Sequence, residues 1–322
     1  MNNNGILKFN LRSSIFNDYK SCIKFLLDGQ LIKKTLVCEK DSSKMNMKVT
    51  DINGCKTLYY KCDECDSKIL LFDLIGLNFK MDICELLKKT FIFTGIDHKR
   101  NEFFDLEKSE EIEFVLKSKE LEFLWNKLSI IVGNIYDESY TKLGGDDIKV
   151  QVVDAPFFKK IPFYLKVDSY NHQNHDNEIV MIVGIEDTVD RNVFIKRVAG
   201  LDFENVKVTL KEHINLKSNI INKERKVYVS ACKELGLNRL TNDSYQKDLI
   251  KPVKLHLNNV ISVMSRFREF QSERDDLSFE ADKIDLFIKE YLWKKQMLRI
   301  KSGKNYQTIG FIDLLKHLFK LN

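Results

Sequence analysis

The stretch Gly144-Gly145-Asp146-Asp147-Ile148-Lys149-Val150-Gln151-Val152-Val153-Asp154-Ala155-Pro156-Phe157-Phe158 (GGDDIKVQVVDAPFF) decides how the second half of the chain is read. A glycine pair opens a turn, and an alternating apolar run then ends in a carboxylate. The period of two marks a strand with one face in a core. An acid at the end of such a strand is a candidate metal ligand, so Asp154 is the first residue to place.

Working outward, EIVMIVGIED (178–187) is apolar through its centre and reads as a buried strand. NVFIKRVAG (192–200) alternates and reads as its hairpin partner across the turn DTVDR. Residues 203–216 fit a helix, 218–222 a short strand, and 223–236 a helix stopped by Gly236. From 251 onward the pattern is helical, broken near Ser272–Asp276 and at Ser302-Gly303. Three strands, a helix, a strand and a helix, followed by more helices, suit a ribonuclease-H-like core.

Before the glycine pair the character differs. Residues 17–33 read as an amphipathic helix with Tyr19, Ile23, Phe25, Leu26 and Leu27 on its apolar face. Residues 36–72 alternate around Gly54 and hold four cysteines, which predicts two hairpins. Residues 80–98 read as a helix, and the charged, periodic stretch 101–143 as a helical linker with Leu121, Leu124, Trp125 and Leu128 on one face. The expectation is an α+β or α/β protein in four segments. These are an N-terminal helical segment (1–35), a zinc-ribbon-like module (36–79), a helical linker (80–143) and the core with its C-terminal helices (144–322).

The chain has 322 residues, 43% of them hydrophobic, with 22 Phe and 11 Tyr, so it can build real cores. No segment approaches the ~20 uncharged apolar residues of a membrane helix, and MNNNGILKFN lacks the apolar core of a secretory signal. The expectation is an intracellular protein with no membrane partner, nuclear if it binds DNA. Seven cysteines at irregular spacing do not form a disulfide framework in that setting. Cys62 and Cys65 make one metal-binding knuckle. Upstream, Cys38 is followed at the matching spacing by Asp41, so Cys38, Asp41, Cys62 and Cys65 are a candidate zinc set, with Cys55 as a substitute. The alternative is a ribbon that has lost its metal and holds together by packing. His172 and His175 in NHQNHD read as a polar loop tip.

The net charge is +5, and residues 251–322 carry all of that excess. Lys294, Lys295, Arg299, Lys301 and Lys304 follow one another with no acid between them. Such a cluster can neutralise phosphates, so these five are candidate DNA contacts. The plain alternative is a solvated helix face.

Several separated motifs agree on one family. CIKFLLDGQLIKKTLVC, KMNMKV with GCKTLYYKCDEC, and KLGGDDIKVQVVDAPFF occur in that order. IVGIEDTVDRNVFIKRV follows, with Glu186, Thr188 and Phe194 matching, then SNIINKERKVYVSACKELGLNRL with Tyr228, Leu235 and Gly236. KLHLNNVISVMSRFREF matches at His256 and Asn258, and FIKEYLWKK at Glu290 and Trp293. Together they resemble the Merlin-type DDE transposases and their ISXO-group insertion-sequence relatives, from about residue 19 to about 315. The resemblance implies a DNA-binding zinc ribbon and a ribonuclease-H-like core in which three carboxylates hold two divalent cations for DNA cleavage and strand transfer.

Carried over residue by residue, that acid set is eroded. The second acid position is Lys223 and the third is Ile261. An ungapped match puts Val153 on the first position, and a one-residue insertion puts Asp154 there. One carboxylate does not hold two Mg²⁺ or Mn²⁺ ions, so the resemblance implies a protein that has stopped cutting DNA. Lys223 would then pair with Asp154 where metal once bridged. Two other readings stay open. One is an active transposase or nuclease with its acids relocated among Asp146, Asp147, Glu186 and Asp187. The other is a structural or interaction protein without nucleic acid. Neither the partner nor the oligomeric state, homo-oligomer included, is fixed by the sequence.

Overall fold

A computed structural model describes residues 9–52, 54–77, 81–95, 119–157, 179–222, 225–240, 257–272, 281–300 and 306–320. The chain forms two compact units. One comprises Met1–Val132 with Lys301–Asn322, and the other Gly133–Ile300. The final residues therefore belong with the first unit, not with the core as the sequence division had them.

In the first unit, α1 (Tyr19–Asp28) starts at Asp18, whose carboxylate accepts from the backbone N–H groups of Lys20 and Ser21. A four-stranded antiparallel sheet follows, with β1 (Thr35–Val37), β2 (Lys44–Ile52), β3 (Cys55–Cys62) and β4 (Lys68–Leu70) side by side in chain order. Its inner face is built by Met45, Leu58, Tyr60 and Cys62, all buried. The helices α2 (Leu71–Leu74), α3 (Ile83–Phe93) and α4 (Lys119–Ser139) come next, and the last seven residues of α4 belong to the second unit.

The element order continues with β5 (Lys149–Phe157), β6 (Ile179–Glu186), β7 (Val193–Val198), α5 (Phe203–His213), β8 (Asn219–Asn222), α6 (Lys226–Leu235) and β9 (Asn238–Arg239). Three helices complete it: α7 (Asn258–Ser272), α8 (Ala281–Ile300) and α9 (Tyr306–Leu318). The last of these explains the return of the chain end to the first unit. Phe311 of α9 packs edge-on against Phe9, Phe16 and Phe91 and stacks on Phe25. Aromatic pairs in these geometries add about 0.5–1.5 kcal/mol each beyond their buried area.

The second unit is a three-layer structure around a mixed sheet ordered β7-β6-β5-β8-β9. Strand β6 runs antiparallel to both its neighbours, whereas β5, β8 and β9 are mutually parallel. On one face Val150, Val152, Ile182 and Ile220 meet Val206 and Leu210 of α5 and Tyr228 and Ala231 of α6. On the other, Val153, Ala155 and Val183 meet Val260 and Phe267 of α7 and Ile288 and Leu292 of α8. Strand β5 thus has apolar residues on both faces, and this is why its run is nearly continuous. Two glycines set its surroundings. Gly144 has φ +88, and a Cβ there would lie 1.9 Å from the Ser218 hydroxyl. Gly236 ends α6 in the left-handed region at φ 68.

Among the described residues no helix is long and apolar enough to cross a membrane. His172, His175, Lys223, Lys301 and Lys304 lie outside the described residues, as does the side chain of Arg299.

Candidate functional site

The cysteine set converges. The ligand atoms of Cys38, Asp41, Cys62 and Cys65 all lie within 4.8 Å of one another. They come from two turns of the same construction, β1 to β2 and β3 to β4. In each, the N–H of the first cysteine donates to the carbonyl five residues on: Cys38 to Ser43 at 2.8 Å, and Cys62 to Ser67 at 2.9 Å. In each, the residue four after that cysteine takes a left-handed backbone, Ser42 at φ 60 and Asp66 at φ 57. The segments CEKDSSK and CDECDSK therefore match position by position, and Asp41 occupies the place of Cys65. Cys55, at the far end of the β2–β3 hairpin, is outside the set.

The spacing suits a small tetrahedral ion. Tetrahedral ligands about 2.0–2.3 Å from a common centre stand roughly 3.3–3.8 Å apart. The Cys38 and Cys65 sulfurs are 3.5 Å apart, and Cys62 Sγ lies 3.4 Å from an Asp41 oxygen. The charge state fits as well. Hydrogen bonds from the Ser43 hydroxyl and its backbone N–H hold Asp41 well below the usual carboxylate range. The backbone N–H of Cys65 and the Ser43 hydroxyl hold the Cys62 thiol below its ordinary value. At Cys38 the backbone N–H of Lys40 pulls the thiol down, but desolvation and hydrogen bonding to Cys65 and Asp41 carry it up to about 11. A divalent cation would complete this set by displacing thiol protons. Three thiolates and a carboxylate suit zinc or another soft divalent metal, and four protein ligands make a closed site of structural type.

The outer face of the same sheet is basic and carries an aromatic ring. Register puts Lys48 beside Tyr59 and Lys61 beside Lys68. Lys68 lies 5.9 Å from the centre of the Tyr59 ring. Lys61 pairs with Asp66 at 2.6 Å and Lys48 with Asp63 at 4.0 Å, and both carboxylates are exposed.

In the second unit Asp154 is buried, its side chain 2% exposed, and its Oδ2 lies 3.0 Å from Nη1 of Arg225. Alternation along β5 puts Asp154 on the face of Val150 and Val152, towards α6. Its negative charge, after burial itself, helps to push the Tyr228 phenol well above its ordinary value. Ile261 belongs to α7, which packs on the opposite face beside Val153 and Ala155. The structure therefore does not bring Asp154 and Ile261 together. Among the described residues the cation beside Asp154 is Arg225, which the sequence did not single out, and Lys223 lies outside them.

Two of the remaining acids, Glu186 and Asp146, are committed elsewhere. Glu186 is buried and accepts from Gly144 N–H, from the Asn192 amide and from the Thr188 hydroxyl, which ties the glycine pair to the β6–β7 turn. Asp146 is exposed and pairs with Lys217. Among the described residues, the cysteine module holds the only group of three or more His, Cys, Asp or Glu side chains spaced for a metal.

The proposed DNA-contact cluster needs correction at Lys294. Its side chain is 2% exposed, pairs with Glu290 at 2.8 Å across one helical turn, and lies 5.2 Å from the Phe270 ring. It faces inward because Glu290, Trp293 and Lys294 all lie on the packed side of α8. Lys295 is half-buried and lines a cleft. The run is therefore not one solvated basic face.

Comparison with protein-family models and with curated proteins found no match.

Proposed function

We propose that this chain is a transposase-derived protein that no longer cuts DNA, and that its cysteine module holds a zinc ion and contacts nucleic acid. The observation that carries the reading is the contrast in ligands. Cys38, Asp41, Cys62 and Cys65 converge, while Asp154 is paired with Arg225.

The strand order β7-β6-β5-β8-β9, with β6 alone reversed, is the connectivity expected of a ribonuclease-H-like core. Within that reading the ungapped match fits better than the shifted one. Val153 faces the helix that carries Ile261, and Asp154 faces away from it. The position where the resemblance puts the first acid is then apolar, like the third. The matched Glu290 and Trp293 are buried structural residues, and Glu186 braces a turn.

In the module, zinc would be held by Cys38, Asp41, Cys62 and Cys65, where it cross-links the two turns and neutralises their thiolates. The protein's own contribution to nucleic-acid contact is the face with Lys48, Tyr59, Lys61 and Lys68. Lysines there meet phosphates, and the Tyr59 ring offers a surface for a base.

A supercoiled plasmid incubated with the full chain and Mn²⁺ should stay intact. Protein-dependent nicks lost in Asp154→Ala would overturn the non-cutting reading. Electrophoretic shifts at two salt concentrations should show binding that weakens steeply with salt. No binding at low salt would instead favour a structural or interaction role without nucleic acid.

A further inference from the structure

The second unit has a cleft that neither the metal module nor the Asp154 region uses. It is about 40 Å³, lined by the end of α4, the β6–β7 turn and the end of α8. Its floor is apolar, from Leu143, Val193 and Leu292, and its walls carry Tyr136, Arg191 and Lys295. Two of the lining side chains are cationic and none is acidic.

Three features point to an anion. Among the described residues, the Arg191 guanidinium has no ion pair or hydrogen bond, although its own backbone N–H is held by the Thr188 hydroxyl at 3.1 Å. Arg191 also sits at φ 48, a left-handed backbone that a long side chain adopts at a cost. A strained turn that presents an unpaired guanidinium is a candidate for selection by a ligand and not by stability. The Tyr136 hydroxyl likewise has no hydrogen-bond partner among the described residues, and desolvation raises its phenol well above the ordinary value, so it meets a ligand as a donor.

We propose that this cleft binds a phosphate monoester group, with Arg191 and Lys295 meeting its charge and the Tyr136 hydroxyl donating to a phosphoryl oxygen. A guanidinium matches phosphoryl oxygens in pairs, so Arg191 is the main determinant. The volume is that of roughly three waters, on the scale of one phosphoryl group and not of a whole nucleotide. The rest of an esterified ligand would extend into solvent along the Tyr136 and Tyr140 rings, whose centres are 5.7 Å apart. This inference is independent of the transposase-derived reading and of the metal module.

The test is calorimetric titration of the full chain at low salt with inorganic phosphate and, separately, with a nucleoside 5′-monophosphate. The variant is Arg191→Gly, because glycine accepts the left-handed backbone and removes only the charged arm. Its unfolding midpoint should equal or exceed that of the parent, while phosphate affinity falls roughly tenfold or more. Tyr136→Phe keeps the ring and should weaken binding by a smaller factor. Tighter binding of the nucleotide than of phosphate identifies the esterified source, and equal binding identifies the free anion. Failure of both probes to bind, or binding unchanged in Arg191→Gly, overturns the proposal.

Discussion

The cysteine module and the carboxyl end of β5 start from the same kind of expectation, an ion held by anionic side chains, and end differently. In the module, four donors from two matched turns lie within 4.8 Å, with Asp41 and Cys62 shifted toward their anionic forms. At β5, the carboxylate of Asp154 is met by a protein cation, Arg225, at 3.0 Å. The difference lies in how far each arrangement reaches along the chain. The module's donors come in pairs three residues apart, so each half is set by one tight turn. A three-acid site would need a strand, a second strand and a helix to aim at one point. Alternation sends Asp154 and the helix of Ile261 to opposite faces of the sheet.

The largest expected effect tests the first side of that contrast. Structural zinc contributes about 10–16 kcal/mol in small zinc-dependent folds. Stripping the metal with a strong chelator should therefore unfold β1–β4, read as loss of amide-exchange protection over residues 35–70. Cys62→Ala should reproduce the loss without chelator. Asp41→Cys should keep the metal and bind it more tightly.

The next effect tests the second side. Arg225→Ala leaves the buried Asp154 carboxylate without its guanidinium. Because Arg225 is about a third exposed, the lower end of the range for a broken buried pair applies, about 3 kcal/mol by denaturant unfolding. Asp154→Asn should cost less. An Arg225→Ala protein of parental stability would show that the pair does not hold this end of the sheet.

A smaller effect concerns another buried ionisable group of the same unit. His213 stacks on Phe194 with ring centres 4.8 Å apart, and its Nδ1 meets the Tyr140 hydroxyl at 2.6 Å. Desolvation, with the nearby Lys196 charge, lowers its pKa to about 4 from the ordinary 6.5. The unfolded chain thus binds the proton first as pH falls. Stability should be full above pH 6.5, decline between 6.5 and 4, and level off below for this group. The total is on the order of 3 kcal/mol. His213→Phe should flatten that part of the profile. The smallest effect is Lys61→Ala, which should reduce the salt dependence of nucleic-acid binding by about one phosphate contact and leave the fold unchanged.

Much of the fold was legible because its signals are local. The alternation of KVQVVDA, the apolar centre of EIVMIVGIE and the stop at Gly236 each carry their own period or turn chemistry. The ligand set was legible for the same reason, because Asp41 follows Cys38 at the spacing at which Cys65 follows Cys62. What was missed depends on partners far away in sequence. Lys294 reads as a surface lysine until Glu290 and Phe270 enclose it. Arg225 has no motif and gains its role only from β5. The two-residue strand β9 is too short to leave a pattern. The return of α9 to the first unit rests on Phe311 finding aromatic rings some 220 to 300 residues earlier.

The contrast between the two regions is tested most directly by the metal content of the full chain. Equilibrium dialysis against micromolar Zn²⁺ and millimolar Mn²⁺, followed by elemental analysis, counts both ions per chain. One zinc, lost in Cys62→Ala, with no bound manganese, is the predicted result. A chain without zinc, or one that binds two manganese ions released by Asp154→Asn, would contradict it.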